Sequence, residues 1–158
     1  MGDEFGMKQA ILTLANFLDT EIGPASAADP KLETAVNVVG NPLSPGLNGG
    51  AIRRNREHYD KSTIGEYTDH FIVDLDLSTE GLDEDEAWAN ADELVRQVKV
   101  ALAHNPKVVT PSQPQGSFLD TEVLGVSWFG ARLDQGGFLG IATMSIDLQK
   151  IRLNCITN

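Results

Sequence analysis

Residues 70–78, HFIVDLDLS, and residues 83–102, DEDEAWANADELVRQVKVAL, decide the fold of this chain. The first segment alternates apolar and polar side chains, which predicts a strand over residues 66–78. One face of this strand is expected to be buried and to consist of Phe71, Val73, Leu75 and Leu77. The other face is expected to be mostly wet and carries His70, Ile72, Asp74 and Asp76.

The second segment predicts a long helix that packs on the sheet. Asp83 and Glu86 form a pair typical of a capping box, and the acidic residues around them favour the positive end of a helix. Apolar residues then recur every three or four positions to about residue 103. They form one stripe: Ala87, Trp88, Ala91, Leu94, Val95, Val98 and Leu102.

The same periodicities predict further elements on either side. Residues 7–22 show the spacing of an amphipathic helix, and residues 31–39 show that of a strand. Residues 121–133 and 138–148 flank the turn sequence Asp-Gln-Gly-Gly at 134–137. The C-terminal part of the chain is therefore predicted to form a hairpin, about residues 121–150, of two long strands.

Two segments lack such periodicity. Residues 40–65 are rich in Gly and Pro and are predicted to form a long loop or arm, with a hairpin turn at 48–50 as an alternative. Residues 106–118 predict a second loop, and the part from 110 to 117 should be an extended linker. The whole chain is predicted to be a single α+β domain, with a mixed or mainly antiparallel sheet and two helices mainly on one face.

The chain is acidic, since 23 Asp and Glu residues against 12 Lys and Arg residues give a formal net charge of −11. A groove for a nucleic-acid backbone needs clustered basic residues. The one dense basic cluster, Arg53, Arg54 and Arg56, is more typical of a solvated loop or of ion-pair partners. The single cysteine, Cys155, excludes an internal disulfide and is expected to be buried. Neither a membrane span nor a signal peptide is expected, which predicts a cytosolic protein.

No pattern of residues predicts a catalytic or cofactor site. The histidines, His58, His70 and His104, have no short ligand spacing, so no metal site is expected, and His70 should be a wet or half-buried sheet residue. The chain has no nucleophile elbow and no phosphate-binding glycine loop. The acidic residues from Asp74 to Glu86 leave one alternative, a small divalent-metal-dependent cytosolic enzyme, although a wet strand face and a helix start explain the same residues.

Seven residues are predicted to lie in contacts between subunits: Arg53, Arg54, Arg56, Asp74, Asp76, Trp128 and Phe129. The arginines belong to the predicted arm, which would reach carboxylates of a neighbouring subunit or of a tube. Trp128 and Phe129 are adjacent in a predicted strand and so point to opposite faces. One is expected to enter the core, and the other to meet a helix or another subunit.

The order of these elements resembles that of the tail terminator, or tail-completion, proteins of tailed bacteriophages. The resemblance rests on HFIVDLDLS at 70–78, the acidic-capped helix at 83–102 and the closing strand GFLGIATMSIDLQ at 137–149. It spans residues 7–150 as a pattern and includes no short diagnostic motif. The two predicted loops depart from the simplest form of the pattern, which leaves the contacts between subunits open.

The resemblance implies a structural virion protein that is not an enzyme and holds no cofactor or metal. Such a protein forms a hexameric ring that ends growth of the tail tube and joins the tail to the neck, and it is assembled in the host cytoplasm. Its partners would be further copies of itself, the tail tube protein and the neck or connector proteins. DNA would pass through the lumen without specific binding, and no membrane would be involved. Another head–tail connector, neck or tail tube subunit is the alternative of the same class.

Overall fold

A computed structural model of the chain describes residues 6–21, 34–39, 49–63, 65–105, 107–109 and 118–153. The described residues form two helices, α1 over Met7–Glu21 and α2 over Glu84–His104. They also form six strands: β1 Thr34–Val39, β2 Gly49–Thr63, β3 Glu66–Gly81, β4 Lys107–Val109, β5 Phe118–Arg132 and β6 Phe138–Leu153. Neither helix is long and apolar enough to cross a membrane.

The six strands form one sheet in the order β1-β2-β3-β6-β5-β4. Strands β2, β3, β6 and β5 are its antiparallel centre, with β1 parallel to β2 at one end and β4 antiparallel to β5 at the other. The two middle strands, β3 and β6, stay in register without a bulge from the pair Glu66↔Leu153 to the pair Gly81↔Phe138. The predicted α+β class with a mainly antiparallel sheet is confirmed.

Both helices pack on the same face of this sheet. The predicted apolar face of β3 supplies Phe71, Val73, Leu75 and Leu77, each at most 1% exposed. Register pairs these with the buried alternate residues of β6: Leu148, Ile146, Met144 and Ala142. One core cluster joins them to buried side chains of both helices: Met7, Ala10, Ile11, Leu14, Ala15, Leu18, Leu94, Val95, Val98 and Leu102. Burial of apolar surface therefore fixes the helix stripes and the strand alternation together.

Helix α2 begins where the acidic pair predicted. The carboxylate of Asp83 accepts a hydrogen bond from the backbone N–H of Glu86 at 2.9 Å. The carboxylate of Glu86 accepts one from the backbone N–H of Leu82, also at 2.9 Å. Two backbone donors that the helix itself cannot satisfy thus have partners.

Strand β2, Gly49–Thr63, corrects the predicted loop over residues 40–65. The residues after Ile52, from Arg53 to Glu57, are all exposed and polar. They show no alternation of apolar and polar side chains, so the sequence did not predict this strand. Because β1 and β2 are parallel, a tight hairpin turn at 48–50 does not join them. The turn lies instead between β2 and β3, where Gly65 has a φ of 81°.

The second predicted loop, over residues 106–118, contains the short strand β4 and the first residue of β5. Residues 40–48, the linker at 110–117 and Cys155 lie outside the described residues, so the predictions made for them stay predictions.

The C-terminal hairpin is confirmed, and its strands are longer than predicted. Its turn is closed by a hydrogen bond from the backbone N–H of Leu133 to the carbonyl of Gly137 at 3.1 Å. Gly136 and Gly137 have φ values of 91° and 98°, a region that side chains disfavour. The two glycines of the turn sequence therefore fix where the chain reverses.

Candidate functional site

The face of the sheet opposite the helices, hereafter the open face, is polar but well packed. On β3, Ile72 and Asp76 are buried, and the side chains of His70 and Asp74 are only 13% and 14% exposed. The prediction of a mostly wet face is therefore wrong. Because β3 lies between β2 and β6, side chains of both neighbouring strands contact its polar residues.

One half of the open face is a network around Arg53, hereafter the Arg53 cluster. The guanidinium of Arg53 donates to both oxygens of Asp76, through Nε and through Nη2 at 3.0 Å, and Nη2 lies 3.7 Å from Asp74 Oδ2. Asp76 also accepts from Thr143 at 2.7 Å, and Asp74 accepts from Ser145 at 2.8 Å. The amide of Asn55 donates to Asp74 at 3.1 and 3.2 Å.

These contacts hold β2, β3 and β6 together through side chains. Hydrogen bonding to Asp76 raises the pKa of the Arg53 guanidinium above its ordinary value, and the nearby charges of Asp76 and Asp74 add to the effect. Arg53 thus pairs with carboxylates of its own chain. This agrees with the alternative that the arginine cluster supplies ion-pair partners, and the prediction that Arg53 contacts a neighbouring subunit stays a prediction. Arg54 and Arg56 are exposed and make no ion pair within the described part of the chain.

The other half of the open face holds a second group, His58, Asp60, His70 and Asp147, hereafter the histidine cluster. His58 and His70 are register partners on β2 and β3, and their rings stack with centroids 4.4 Å apart and planes 7° apart. Nδ1 of His70 lies 2.8 Å from Asp147 Oδ2. Nε2 of His70 lies 3.0 Å from Asp60 Oδ2, and Nε2 of His58 lies 4.0 Å from the same oxygen.

The spacing of the histidines along the chain does not reveal this cluster. The antiparallel pairing of β2 with β3 brings His58 opposite His70, and Asp60 follows His58 on the same face of the strand. A prediction of β2 as a strand antiparallel to β3 would have indicated that His58 and His70 lie close together. His104 is exposed at the end of α2 and belongs to no such group among the described residues.

Trp128 and Phe129 point to opposite faces of β5, as predicted, but neither enters the core. Trp128 lies on the helix face and meets Trp88 of α2 edge to face, with ring centroids 6.0 Å apart. Phe129 lies on the open face and is 62% exposed, while Trp128 is 46% exposed. The expectation that one of them is a core residue is therefore wrong, and the expectation that one meets a helix is confirmed.

Two strands of the antiparallel centre have long outer edges with few partners. β1 pairs only with the start of β2, from Gly49 to Ile52. β4 pairs only with the start of β5, from Phe118 to Asp120. Among the described residues, no strand pairs with the outer edge of β2 after Ile52 or with that of β5 from Glu122 onward. Within the part of the chain that the structure describes, the sheet thus has open edges at both of its ends.

Comparison with known proteins adds no family to this description. No protein-family model matches the chain, and a search of the curated proteins found no match.

Proposed function

We propose that this protein is a structural subunit of a tailed-bacteriophage virion, a tail terminator that forms a ring at the head-proximal end of the tail tube. The family resemblance implies a ring of six copies. The ring ends growth of the tube and joins the tail to the neck proteins. The observation that supports this proposal most directly is the presence of two open edges on one sheet.

An unpartnered strand edge exposes backbone N–H and C=O groups that pair readily with another chain. The edges of β2 and β5 lie at opposite ends of the antiparallel centre, so the β2 edge of one copy can pair with the β5 edge of the next. Contacts between two different surfaces of identical subunits close into rings when the rotation between neighbours permits it. A ring built in this way leaves neither edge exposed.

The curvature of such a ring follows from the two-layer fold. Both helices cover one face of the sheet, and no helix among the described residues covers the opposite face. The bulkier helix layer needs the larger circumference, so it forms the outside, and the open face lines the channel. Carboxylates on this face and the formal charge of −11 per chain oppose binding of the DNA backbone, which allows DNA to slide through.

The alternative of a divalent-metal enzyme built on Asp74 to Glu86 has less support from the geometry. Asp74 and Asp76 already accept hydrogen bonds from Arg53, Asn55, Thr143 and Ser145. Asp83 and Glu86 cap α2. These carboxylates therefore have structural partners in place.

The first test is the mass of the purified chain by light scattering over a concentration series, with negative-stain images of any large species. We expect closed rings that do not stack, because a terminator presents two different surfaces above and below. Stacking into long tubes would favour a tube subunit instead. A monomer at every concentration, with no rings in the images, would contradict assembly of the chain by itself.

The edge-to-edge contact is tested by cross-linking in a Cys155→Ser chain. A double variant, Arg56→Cys with Ser127→Cys, places one thiol on each edge strand, at residues that are exposed on the open face. With a flexible bismaleimide linker, we expect a ladder of covalent oligomers that ends at the size of the ring. The single variants serve as controls and should stay monomeric in a denaturing gel. Efficient dimers from either single variant would show that like edges meet, which contradicts the proposed ring.

A further inference from the structure

We propose that His58, Asp60 and His70 form a binding site for a divalent transition-metal cation, with Zn²⁺ as the best fit, and that Asp147 positions His70 within it. This inference does not depend on the proposed ring. It rests on the geometry of the histidine cluster and on the partners of its two least exposed members, His70 and Asp147.

The three side chains offer two imidazole nitrogens and one carboxylate oxygen that all lie within 4.8 Å of one another. Donors bound to a tetrahedral Zn²⁺ at about 2.1 Å are separated by about 3.4 Å, so the group must contract only slightly. Asp60 is 64% exposed on its side chain and can move inward. The register pairing of β2 with β3 holds the backbones of the two histidines in place.

The surroundings of His70 are those of a metal ligand. Histidine ligands usually donate the N–H of their second nitrogen to a carboxylate, which fixes the tautomer and the ring orientation. The Nδ1 of His70 has this partner in Asp147 Oδ2 at 2.8 Å, and Gln149 donates to the same oxygen at 3.0 Å. The lone pair of Nε2 is then directed at Asp60, where the cation would lie.

The charges of the cluster also favour a cation. A neutral imidazole has one N–H, but both nitrogens of His70 face carboxylate oxygens, at 2.8 and 3.0 Å. In addition, Asp147 is 5% exposed, and its Oδ1 is buried with no hydrogen-bond partner among the described residues. A cation between Nε2 and Asp60 would compensate this negative charge, which is otherwise costly to bury.

Formation of the site requires one movement. The two rings are stacked with planes 7° apart, so their in-plane lone pairs do not meet at one point. His58 must tilt out of the stack, and it can do so because its side chain is 38% exposed and its Nδ1 has no partner among the described residues. Three protein ligands leave a fourth position open to water, as in zinc sites that are not closed. Imidazole donors favour Zn²⁺, Ni²⁺ and Cu²⁺ over Mg²⁺ and Ca²⁺, which prefer oxygen.

Calorimetric titration of the full, tag-free Cys155→Ser chain with Zn²⁺ tests the site. We expect binding of one Zn²⁺ per chain and no comparable binding of Mg²⁺. Substitutions His58→Ala, His70→Ala and Asp60→Asn should each weaken Zn²⁺ binding by more than about tenfold, since even loss of an orienting partner costs about 10- to 100-fold. Asp60 is exposed, and Asn has nearly the same shape as Asp, so Asp60→Asn removes the ligand without disturbing the fold.

His104→Ala is the matched control, because His104 is exposed on α2 away from the cluster, and it should bind Zn²⁺ as the parent chain does. For Asp147→Asn we expect weaker binding with the same stoichiometry, and a changed visible absorption spectrum of bound Co²⁺, as a positioning role requires. Two results would overturn the proposal: a parent chain that binds Zn²⁺ no more tightly than the His58→Ala/His70→Ala double variant, or a loss in His104→Ala equal to that in His58→Ala.

Discussion

At the scale of single residues, the open face of the sheet is held by hydrogen bonds between side chains. Asp76 is 9% exposed and accepts from Arg53 and Thr143, which lie on the strands to either side of it. Removing a buried acceptor leaves its donors without partners, and this desolvation cost exceeds the average value of a hydrogen bond. Arg53 is 45% exposed on its side chain, so solvent screens part of its contribution.

We therefore expect Asp76→Ala to lower the free energy of unfolding by about 1–3 kcal/mol. Urea denaturation followed by circular dichroism measures this change. Asp92→Ala is the control, because Asp92 is exposed in the middle of α2 and should change stability by less than about 0.5 kcal/mol. Equal changes in the free energy of unfolding for the two substitutions would mean that the hydrogen bonds of the Arg53 cluster do not stabilise the protein.

The sequence predicted individual residues well wherever burial of apolar groups decided their place. The alternation of Phe71, Val73, Leu75 and Leu77 was read correctly because the helices cover that face of β3. The partners of polar residues were not predicted. Pairing of Arg53 with Asp76, or of His58 with His70, depends on the register of two strands, which the order of residues in either strand does not reveal.

At the scale of elements, α2 is anchored by Trp88 in a slot between two glycines. Gly130 and Gly140 are register partners on β5 and β6, and both lie beneath the Trp88 indole. A Cβ atom at Gly130 would lie 2.6 Å from the Phe138 ring and 2.8 Å from Trp88. At Gly140 it would lie 3.3 Å from Trp88. The missing side chains allow the helix to approach the sheet.

We expect Gly130→Ala to destabilise the protein by about 1–3 kcal/mol, because the two rings must shift to admit the methyl group. Thermal denaturation followed by tryptophan fluorescence measures the loss. Gly125→Ala is a matched control on the same strand, since a Cβ there meets no atom within 4 Å, and it should change stability by less than about 0.5 kcal/mol. If Gly130→Ala were as stable as Gly125→Ala, Trp88 would not be fixed by this slot.

Four of the elements that the sequence predicted have one buried apolar face. α1, α2, β3 and β6 each bury such a face, and their predicted bounds lie within a few residues of the observed ones. β2 is polar on both sides past Ile52, so a pattern based on apolar residues could not detect it. Its hydrogen bonds to β3 make it a strand.

At the scale of the whole molecule, the sequence predicted the class of the fold but not the arrangement of its strands. Sequence neighbours such as β5 and β6 form the expected hairpin. The parallel pairing of β1 with β2 and the antiparallel pairing of β3 with β6 join segments that are distant in the chain or separated by a long connection. Neither pairing leaves a local mark in the sequence.

Charge gives a prediction at this scale, which depends on the proposed ring. Each chain carries a formal charge of −11, so copies that associate repel one another. Salt shortens the range of this repulsion to about 10 Å at 0.1 M. We therefore expect rings to form at lower protein concentration as sodium chloride is raised from low to physiological levels, as measured by light scattering. Weaker association at higher salt would indicate that ion pairs between subunits hold the contact.

The central pairing of β3 with β6 also has a consequence for the order in which the chain is expected to fold. Each of these strands belongs to a hairpin of its own, β2–β3 or β5–β6, which can close early because its contacts are local. The two hairpins are separated in the chain by a connection that contains α2, so we expect this non-local pairing to form after the hairpins themselves. Until then β3 and β6 each have an unpaired edge next to apolar side chains such as Leu75 and Met144. We therefore expect aggregation to compete with folding most strongly at this late, non-local step.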